Sequence, residues 1–438
     1  MQSASEIAEA VRNGRTTASA VLDAALARID ALDDDLQAWV ELDRTGSRRA
    51  AELQPSGALA GVPVGVKDII DVGGLPSRLG AGAFAHSKPT QDSGPVARLR
   101  AAGALVLGKT HTTQFAYLDP APTRNPWHRD RTPGGSSSGS AAAVAAGMVP
   151  MALGSQTVGS VLRPAAYCGV VGFKPSFGRI AYTGTAALAP SFDHIGVLCR
   201  SVADAALALS VLAGYDAADP NAVEREVDDY LAAVAGPQPP RIALARLFYE
   251  AESGAEVVRH LGEVAESLSA TGATVVEVDM PATARQIADM GQPVLRSEAA
   301  QVHAKHFEAH RYEYGPQIRA LIESGLGVAS ADVFRARNEL RSLRAALSSL
   351  LSEYDCILMP VAPATAPGRE TTGNSIFCAA ASFTGLPAIA LPSGLGADGL
   401  PLSVQLVAGP FAEARLLAAA AWVERVLDFH AEPSLAAP

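Results

Sequence analysis

The stretch from Pro133 to Pro175 places the strongest constraint on this chain, because glycine, serine and alanine dominate it. An apolar run, AAAVAAGMVPMALG, passes through its middle, and such a run needs a packed partner. Glycines around the serines let the backbone take positive φ and approach other groups closely. The stretch therefore predicts packed structure around a serine cluster and excludes a flexible linker.

Elsewhere the sequence alternates between helical and β-rich segments. Apolar residues recur at helical spacing through the first fifty residues, and PVARLRAAG predicts a helix before a buried strand, ALVLGKT. β-rich segments return near the end, in PAIALPSG and PLSVQLVAG. Strands from both ends thus surround a charged, helical middle with one predicted strand, ATVVEVDM. We predict a single α/β/α domain over residues 1–438, with a central mixed β-sheet covered by helices and a variable helical region, 240–350, capping the substrate pocket.

The composition is that of a soluble enzyme, with 48% hydrophobic and 18% charged residues and a net charge of -10. This acidic balance argues against nucleic acid as a partner. No apolar run is long enough to predict a membrane span, and the first residues lack a signal-peptide pattern. Four cysteines stand apart without paired spacing, which is typical of reduced thiols. We expect a cytoplasmic protein.

One segment matches a phosphate-binding motif in its sequence pattern but not in the structure that we expect for it. Residues 103–110 fit GxxxxGK[ST], but the four middle residues are Ala-Leu-Val-Leu. The motif works only when those residues form a loop whose N–H groups surround phosphates. An apolar run favours a buried strand, so we reject nucleotide binding here.

Three motifs together point to a specific chemistry. Ser136 lies in PGGSSSGS, Ser160 follows twenty-four residues later in GSQTVGSVLRPA, and Lys67 lies upstream in GVPVGVKD. Their order and separation resemble those of the amidase signature family, and the resemblance extends over roughly residues 7–426. It implies the amidase signature fold and hydrolysis of an amide without a metal or cofactor.

The resemblance also implies a role for each motif residue. Ser160 would be the nucleophile, Ser136 a bridging serine after a cis peptide bond from Gly135, and Lys67 the base. A serine attacks only when a base takes its proton, and burial disfavours the charged form of lysine. Asp68 would oppose this effect, so we expect its side chain to face elsewhere. Ser137 competes for the bridging role, and the resemblance also suggests that it contacts substrate.

An oxyanion needs preorganised donors. The resemblance implies the backbone N–H groups of Thr157, Val158, Gly159 and Ser160. Val158 stands where the family most often has glycine, so the loop must use a conformation that a β-branched residue accepts. Gln156 replaces the more usual aspartate. Both departures bear on activity, although neither removes a member of the triad.

Arg163 is the best indication of the substrate. Most family members carry arginine two residues after the nucleophile, where Leu162 stands here, and this SVLRPA arrangement resembles malonamidase-type members. There the displaced arginine binds a substrate carboxylate, which a guanidinium matches with two hydrogen bonds. The alternative is a structural role, in which Arg163 pairs with an aspartate or a backbone carbonyl.

We therefore predict an amidohydrolase that cleaves a small carboxylic amide through an acyl-enzyme. Its partner is the small-molecule amide, and a homodimer is the assembly that the resemblance suggests. One alternative is the glutaminase subunit of a tRNA-dependent amidotransferase, which usually has the aspartate and glycine lacking at 156 and 158. Another is a non-catalytic binding or scaffold homologue, against which the three retained residues argue.

Overall fold

One mixed β-sheet organises the computed structural model, which describes residues 2–82 and 87–435. Its eleven strands lie in the order β1-β3-β2-β4-β6-β5-β10-β11-β9-β7-β8. In chain order they are β1 Trp39–Leu42, β2 Pro63–Lys67, β3 Leu105–Thr110, β4 Met151–Gln156, β5 Val171–Lys174, β6 His194–Cys199, β7 Arg241–Leu244, β8 Thr274–Glu277, β9 Cys356–Pro360, β10 Ala388–Leu395 and β11 Pro401–Val407. The sheet thus joins strands from both ends of the chain.

Strand β2 lies between β3 and β4 and is parallel to both. Val66 pairs with Lys109 on one side and with Leu153 on the other. Every residue of β2, β3 and β4 is buried, as expected for parallel strands covered on both faces. Because the carboxyl ends of parallel strands meet at one edge, Lys67 at the end of β2 lies beside the end of β4.

Helices cover both faces of the sheet. They are α1 Ala4–Arg12, α2 Ala18–Leu36, α3 Arg44–Glu52, α4 Gly94–Ala101, α5 Ser138–Ala145, α6 Leu162–Cys168, α7 Val202–Leu212, α8 Tyr230–Ala235, α9 Arg246–Glu250, α10 Ala255–Ala270, α11 Ala284–Met290, α12 Gln292–His310, α13 Pro316–Leu326, α14 Ser330–Leu350, α15 Ala379–Phe383 and α16 Glu413–Leu427. Across the described ranges, each helix is too short or too polar to span a bilayer.

The predicted single domain with a mixed sheet and covering helices is confirmed. The apolar part of the rejected phosphate motif is strand β3, as expected, and its Lys109 lies buried 3.2 Å from the carboxylate of Asp68. In 240–350 the predicted strand is confirmed as β8, but β7 was not predicted. This region is therefore helical only in part, because β7 and β8 extend one end of the sheet.

Helix α5 packs against the sheet through a residue without a side chain. The N–H of Gly139 donates to the carbonyl of His111 at 2.9 Å, and the N–H of His111 donates to Ala38 at 2.8 Å. A Cβ on Gly139 would lie 2.5 Å from the backbone nitrogen of His111. Neither backbone can move away without losing these hydrogen bonds, so glycine is required here.

We expect Gly139→Ala to lower the free energy of unfolding by about 1–3 kcal/mol, because the added methyl overpacks a rigid contact. Gly262 in α10 is the matched control, since a Cβ there meets no atom within 4 Å. Gly262→Ala should raise stability by about 0.5–1 kcal/mol through helix propensity. Urea unfolding of both variants measures these changes, and equal effects would contradict the packing argument.

Candidate active site

The carboxyl ends of β2 and β4 bring the predicted site residues together. Lys67 is the last residue of β2, and the turn after β4 carries Thr157 to Ser160 before α6 begins at Leu162. Ser136 lies in the loop that leads into α5. The N–H of Ser137 donates to the carbonyl of Ser160 at 3.2 Å, which joins the two serine segments directly.

The amine of Lys67 is fully buried and faces hydroxyl groups. Its Nζ lies 2.6 Å from Oγ of Ser136, 2.8 Å from Oγ of Ser155 and 3.4 Å from the carbonyl of Ser155. Sequence reasoning missed Ser155, although it stands in the same GSQTVGS motif as Ser160. Its position on β4, next to β2 in the sheet, is what directs it at the amine.

Burial lowers the pKa of Lys67 well below its usual value. The negative charge of Asp193 acts in the opposite direction, and the positive charge of Arg163 lowers the pKa further. Within the described residues no carboxylate lies at ion-pair distance from this amine. Asp68 faces away, as expected, toward Lys109 and the N–H of Arg78. The amine of Lys67 therefore loses its proton more readily than that of an exposed lysine.

The expected cis peptide bond between Gly135 and Ser136 is present. A Cβ on Gly135 would lie 2.8 Å and 2.9 Å from the methyl groups of Thr372 and Thr113, so only glycine fits. The N–H of Thr113 donates to the carbonyl of Ser136 at 3.2 Å. These contacts hold the carbonyl of Ser136 on one side while its hydroxyl faces Lys67.

Arg163 donates to backbone carbonyls. Its Nε and Nη2 lie 3.1 Å and 2.7 Å from the carbonyl of Gly135, and Nη1 lies 2.6 Å from that of Gly373. The side chain is buried, yet over residues 2–82 and 87–435 no carboxylate forms an ion pair with it. Three of its five N–H groups are thus engaged, and the positive charge has no anionic partner.

Ser160 is the most accessible of the three predicted catalytic residues. Its exposed fraction is 7%, against 0% for both Ser136 and Lys67. In the described part of the chain its hydroxyl has no hydrogen-bond partner. Of the three side chains, that of Ser160 is therefore the one within reach of solvent.

The side chain of Gln156 organises the turn before α6. Its Oε1 accepts the N–H groups of Val161 and Leu162 at 2.8 Å and 3.0 Å. Val158 is not among the described non-glycine residues with positive φ, so the turn uses a conformation that valine accepts. For the N–H groups of Val158, Gly159 and Ser160, the described residues offer no acceptor, so these donors remain available.

Asp193 and Ser382 both contact the turn and were not predicted from the sequence. Thr157 donates its hydroxyl to Asp193 at 2.6 Å, and burial raises the pKa of Asp193 to about 7. Ser382 contacts both Gln156 and Val158. No local pattern marks Asp193 or Ser382, because each comes from a distant segment.

Ser137 lies beside the site, and its hydroxyl contacts the backbone of β4. Its Oγ is 3.3 Å from both the N–H and the carbonyl of Ser155, which ties the serine loop to β4. This contact engages the hydroxyl that sequence reasoning assigned to substrate. Across the described chain, no group of three or more His, Cys, Asp or Glu side chains could hold a metal ion.

The burial of the Lys67 amine predicts how the stability of the protein changes with pH. The unfolded chain binds a proton at Lys67 up to a pH near 10.5, whereas the folded chain releases it at lower pH. Between these values the unfolded state binds more protons, so this residue makes stability rise with pH. Lys67→Met removes that dependence. The free energy of unfolding of the variant minus that of the parent should therefore be largest near neutral pH and should fall toward pH 10.5.

Urea unfolding of parent and variant between pH 6 and pH 10 measures this difference. The variant also leaves Ser136 and Ser155 without an amine partner, but that cost is the same at each pH. Lys305→Met, at an exposed position in α12, is the control for exchanging a lysine for methionine. A constant difference for Lys67→Met would show that the buried amine stays charged.

Comparison with known proteins agrees with this geometry. The family model described as Amidase matches residues 20–417. One relative, a Glutamyl-tRNA(Gln) amidotransferase subunit from Halothermothrix orenii, is 31% identical over 97% of this chain and 96% of its own. Seven further relatives with the same name are 32–34% identical.

Two solved structures show the same architecture. One, described as an unexpected vestigial protein complex that reveals the evolutionary origins of an s-triazine catabolic enzyme, has a TM-score of 0.91 and 30% identity, covering 97% of this chain and 98% of its own. The other, described as an amidase, has a TM-score of 0.85 and 32% identity, covering 97% and 99%. This chain belongs to the amidase signature family and is an enzyme that acts on amide C–N bonds.

Proposed function

We propose that this enzyme hydrolyses a small carboxylic amide with Ser160 as nucleophile, Ser136 as bridging serine and Lys67 as base. The observation that carries the proposal is the distance of 2.6 Å between Nζ of Lys67 and Oγ of Ser136, in a fully buried setting that lowers the pKa of the amine. A neutral amine can accept the proton that a hydroxyl must lose before it attacks.

The reaction follows from this arrangement. Ser160 attacks the amide carbon while its proton passes through Ser136 to Lys67, and the N–H groups of residues 157–160 stabilise the oxyanion. The ammonium of Lys67 then returns the proton through Ser136 to the departing nitrogen, and ammonia leaves. Water attacks the resulting ester by the same relay, which releases the acid and restores Ser160.

Arg163 supports a substrate that carries a carboxylate. A buried charge is normally paired, and this guanidinium has only carbonyl partners and two unused N–H groups. An acid group on the substrate would supply the missing anion. The contact with Gly135 gives Arg163 a structural role as well, so the two alternatives from the sequence are compatible.

The helical part of 240–350 is proposed to cover this pocket. The ring of Tyr314 stacks on Phe115 with centroids 4.8 Å apart, and the carboxylate of Glu298 accepts the N–H of Ser191 at 2.9 Å. Gly291, where α11 meets α12, packs against the ring of Phe383 in α15. These contacts pack the helical part against Phe115, Ser191 and α15, and α15 contacts the turn at 157–160 through Ser382.

The assignment of the nucleophile and base predicts two losses of activity. Ser160→Ala and Lys67→Ala should each lower kcat by about 10²–10⁴-fold or more, because the attacking oxygen or its base is removed. Circular dichroism checks that both variants are folded. A fluorophosphonate probe, mapped by peptide mass spectrometry, should label the parent at Ser160 alone. Labelling at Ser137, or full activity of Lys67→Ala, would contradict the assignment.

The role of Arg163 can be tested with two matched amides. Malonamate carries a carboxylate, and malonamide has the same skeleton without the charge. In Arg163→Met, kcat/KM for malonamate should fall about 10- to 100-fold more than for malonamide, since a charge-assisted contact is lost only with the acid. Loss of the Gly135 contact should lower both values equally.

Arg179 provides the control for this experiment. It is also buried and donates to backbone carbonyls, those of Arg225 and Glu226, but it lies outside the site. Arg179→Met should lower stability and leave the preference for malonamate over malonamide unchanged. An unchanged preference in Arg163→Met would limit that residue to its structural role.

A second candidate is glutamine hydrolysis within an amidotransferase, and the names of the curated relatives favour it over a free small-amide hydrolase. Those relatives are subunits, so this candidate also implies partner proteins in addition to a small-molecule substrate. Glutamine carries a carboxylate that Arg163 could bind. Gln156 and Val158 argue against this candidate, because that subunit usually has aspartate and glycine at these positions.

Ammonia release by the isolated chain decides between the two candidates. We expect malonamate or another short amide acid to be hydrolysed with a higher kcat/KM than L-glutamine, because the turn at Gln156 and Val158 departs from the glutaminase pattern. Ser160→Ala serves as the blank for contaminating amidases. A kcat/KM for glutamine about tenfold above that of each other amide would instead assign the glutaminase activity.

A further inference from the structure

We propose that Gln156 and Ser382 are positioning residues that aim the N–H of Gly159 at the oxyanion. This inference rests on the proposed function and deepens it, because it explains how the turn after β4 is held for catalysis. The two side chains lie 226 residues apart in sequence and are both buried. Their hydrogen bonds form a chain with only one consistent set of donors and acceptors.

The first step fixes the orientation of the Gln156 amide. Two backbone N–H groups, those of Val161 and Leu162, point at one terminal atom of this side chain at 2.8 Å and 3.0 Å. An N–H group can only donate, so that atom must be the oxygen. The NH2 group of Gln156 therefore faces Ser382, whose Oγ lies 2.9 Å away.

The second step fixes the direction of the Ser382 hydroxyl. Because the NH2 group of Gln156 can only donate, Oγ of Ser382 accepts this hydrogen bond. The hydroxyl proton must then point elsewhere, and the carbonyl oxygen of Val158 lies 2.6 Å from Oγ. Ser382 thus donates to Val158. The hydrogen bonds therefore run in one direction, from Gln156 through Ser382 to the backbone of the turn.

The third step passes from Val158 to Gly159. The peptide bond between them is trans, so its C=O and N–H point in opposite directions. With the carbonyl held against Ser382 in α15, the N–H of Gly159 must point to the other side. This N–H has no acceptor in the described residues, and it immediately precedes Ser160. A free backbone N–H next to the nucleophile is the kind of donor that can stabilise an oxyanion.

The segment that carries Ser382 is itself held against the turn. A Cβ on Gly159 would overlap the side chain of Ser375, and it would lie 3.3 Å from Cβ of Cys378. Gln405 of β11 donates to the carbonyl of Phe377 at 3.2 Å, which ties this segment to the sheet. The donor to Val158 is therefore rigid, and so is the peptide that it orients.

Glutamine is suited to this chain because it accepts at one atom and donates at the other. A carboxylate at 156 could still accept the N–H groups of Val161 and Leu162, but it could not donate to Ser382. The hydroxyl of Ser382 would then be drawn toward the carboxylate and away from Val158. Gln156→Glu therefore removes the hydrogen bond that orients the hydroxyl of Ser382, and it keeps the contact at the start of α6.

Two variants test the inference. Ser382→Ala and Gln156→Glu should each lower kcat about 10- to 100-fold with little change in KM, because a misaimed oxyanion donor affects the transition state more than the bound amide. Ser382→Thr, which keeps the hydroxyl, should retain most of the activity. The rate at which a fluorophosphonate labels Ser160 should fall in parallel with kcat.

Ser47→Ala is the matched control. Ser47 is buried and donates to the carbonyl of Asp43 at 2.6 Å, the same kind of contact at the same distance, but in α3. It should lower the unfolding free energy as Ser382→Ala does and leave kcat unchanged. If Ser382→Ala lowers stability alone, with kcat and labelling rate equal to those of the parent, the positioning role is overturned.

The crystal structure of Ser382→Ala separates this inference from the proposed function. A rotated peptide between Val158 and Gly159 supports the positioning role, and an unchanged peptide overturns it, whatever the substrate proves to be. Failure of the proposed function has a different result. In that case the parent protein itself would not be labelled at Ser160 and would release no ammonia from any amide.

Discussion

The burial of one amine against two hydroxyls is the interaction on which the site depends. Lys67 can serve as a base only while its charge is disfavoured, and a carboxylate at contact distance would restore that charge. Asp68 is adjacent to Lys67 in sequence, so its carboxylate could have this effect. Lys109, one strand away on β3, pairs with it at 3.2 Å and holds it on the far side. The lysine of the rejected phosphate motif thus keeps the carboxylate of Asp68 away from the amine of Lys67.

The order of strands explains why such distant residues meet. Lys67 ends β2, and Ser155 lies near the end of the neighbouring β4. The loop before α5 brings Ser136 to the same amine that Ser155 contacts. The fully buried strands exclude water from the amine. Since strands from distant parts of the chain complete the sheet, the dry environment is a property of the whole domain. Changes remote from the triad can therefore alter the basicity of Lys67.

The sequence predicted the parts of the site that lie in local motifs and missed those that depend on tertiary contacts. Lys67, Ser136 and Ser160 were recognisable from their surroundings, and alternating apolar segments predicted the mixed sheet. Ser382 was not predictable, because its role arises only when α15 packs on a turn more than two hundred residues away. Strand β7 was missed because a strand of only four residues carries little periodic signal.

In the proposed reaction, Arg163 connects substrate binding to the strength of the base. Its positive charge lowers the pKa of Lys67, and its hydrogen-bond partners among the described residues are neutral carbonyls. In the proposed reaction, a carboxylate bound at this guanidinium offsets the charge, so the pKa of Lys67 rises when substrate arrives. A stronger base takes the hydroxyl proton more readily. An amide without an acid group would bind beside an unneutralised cation and meet a weaker base, which gives the arginine a part in rate as well as in affinity.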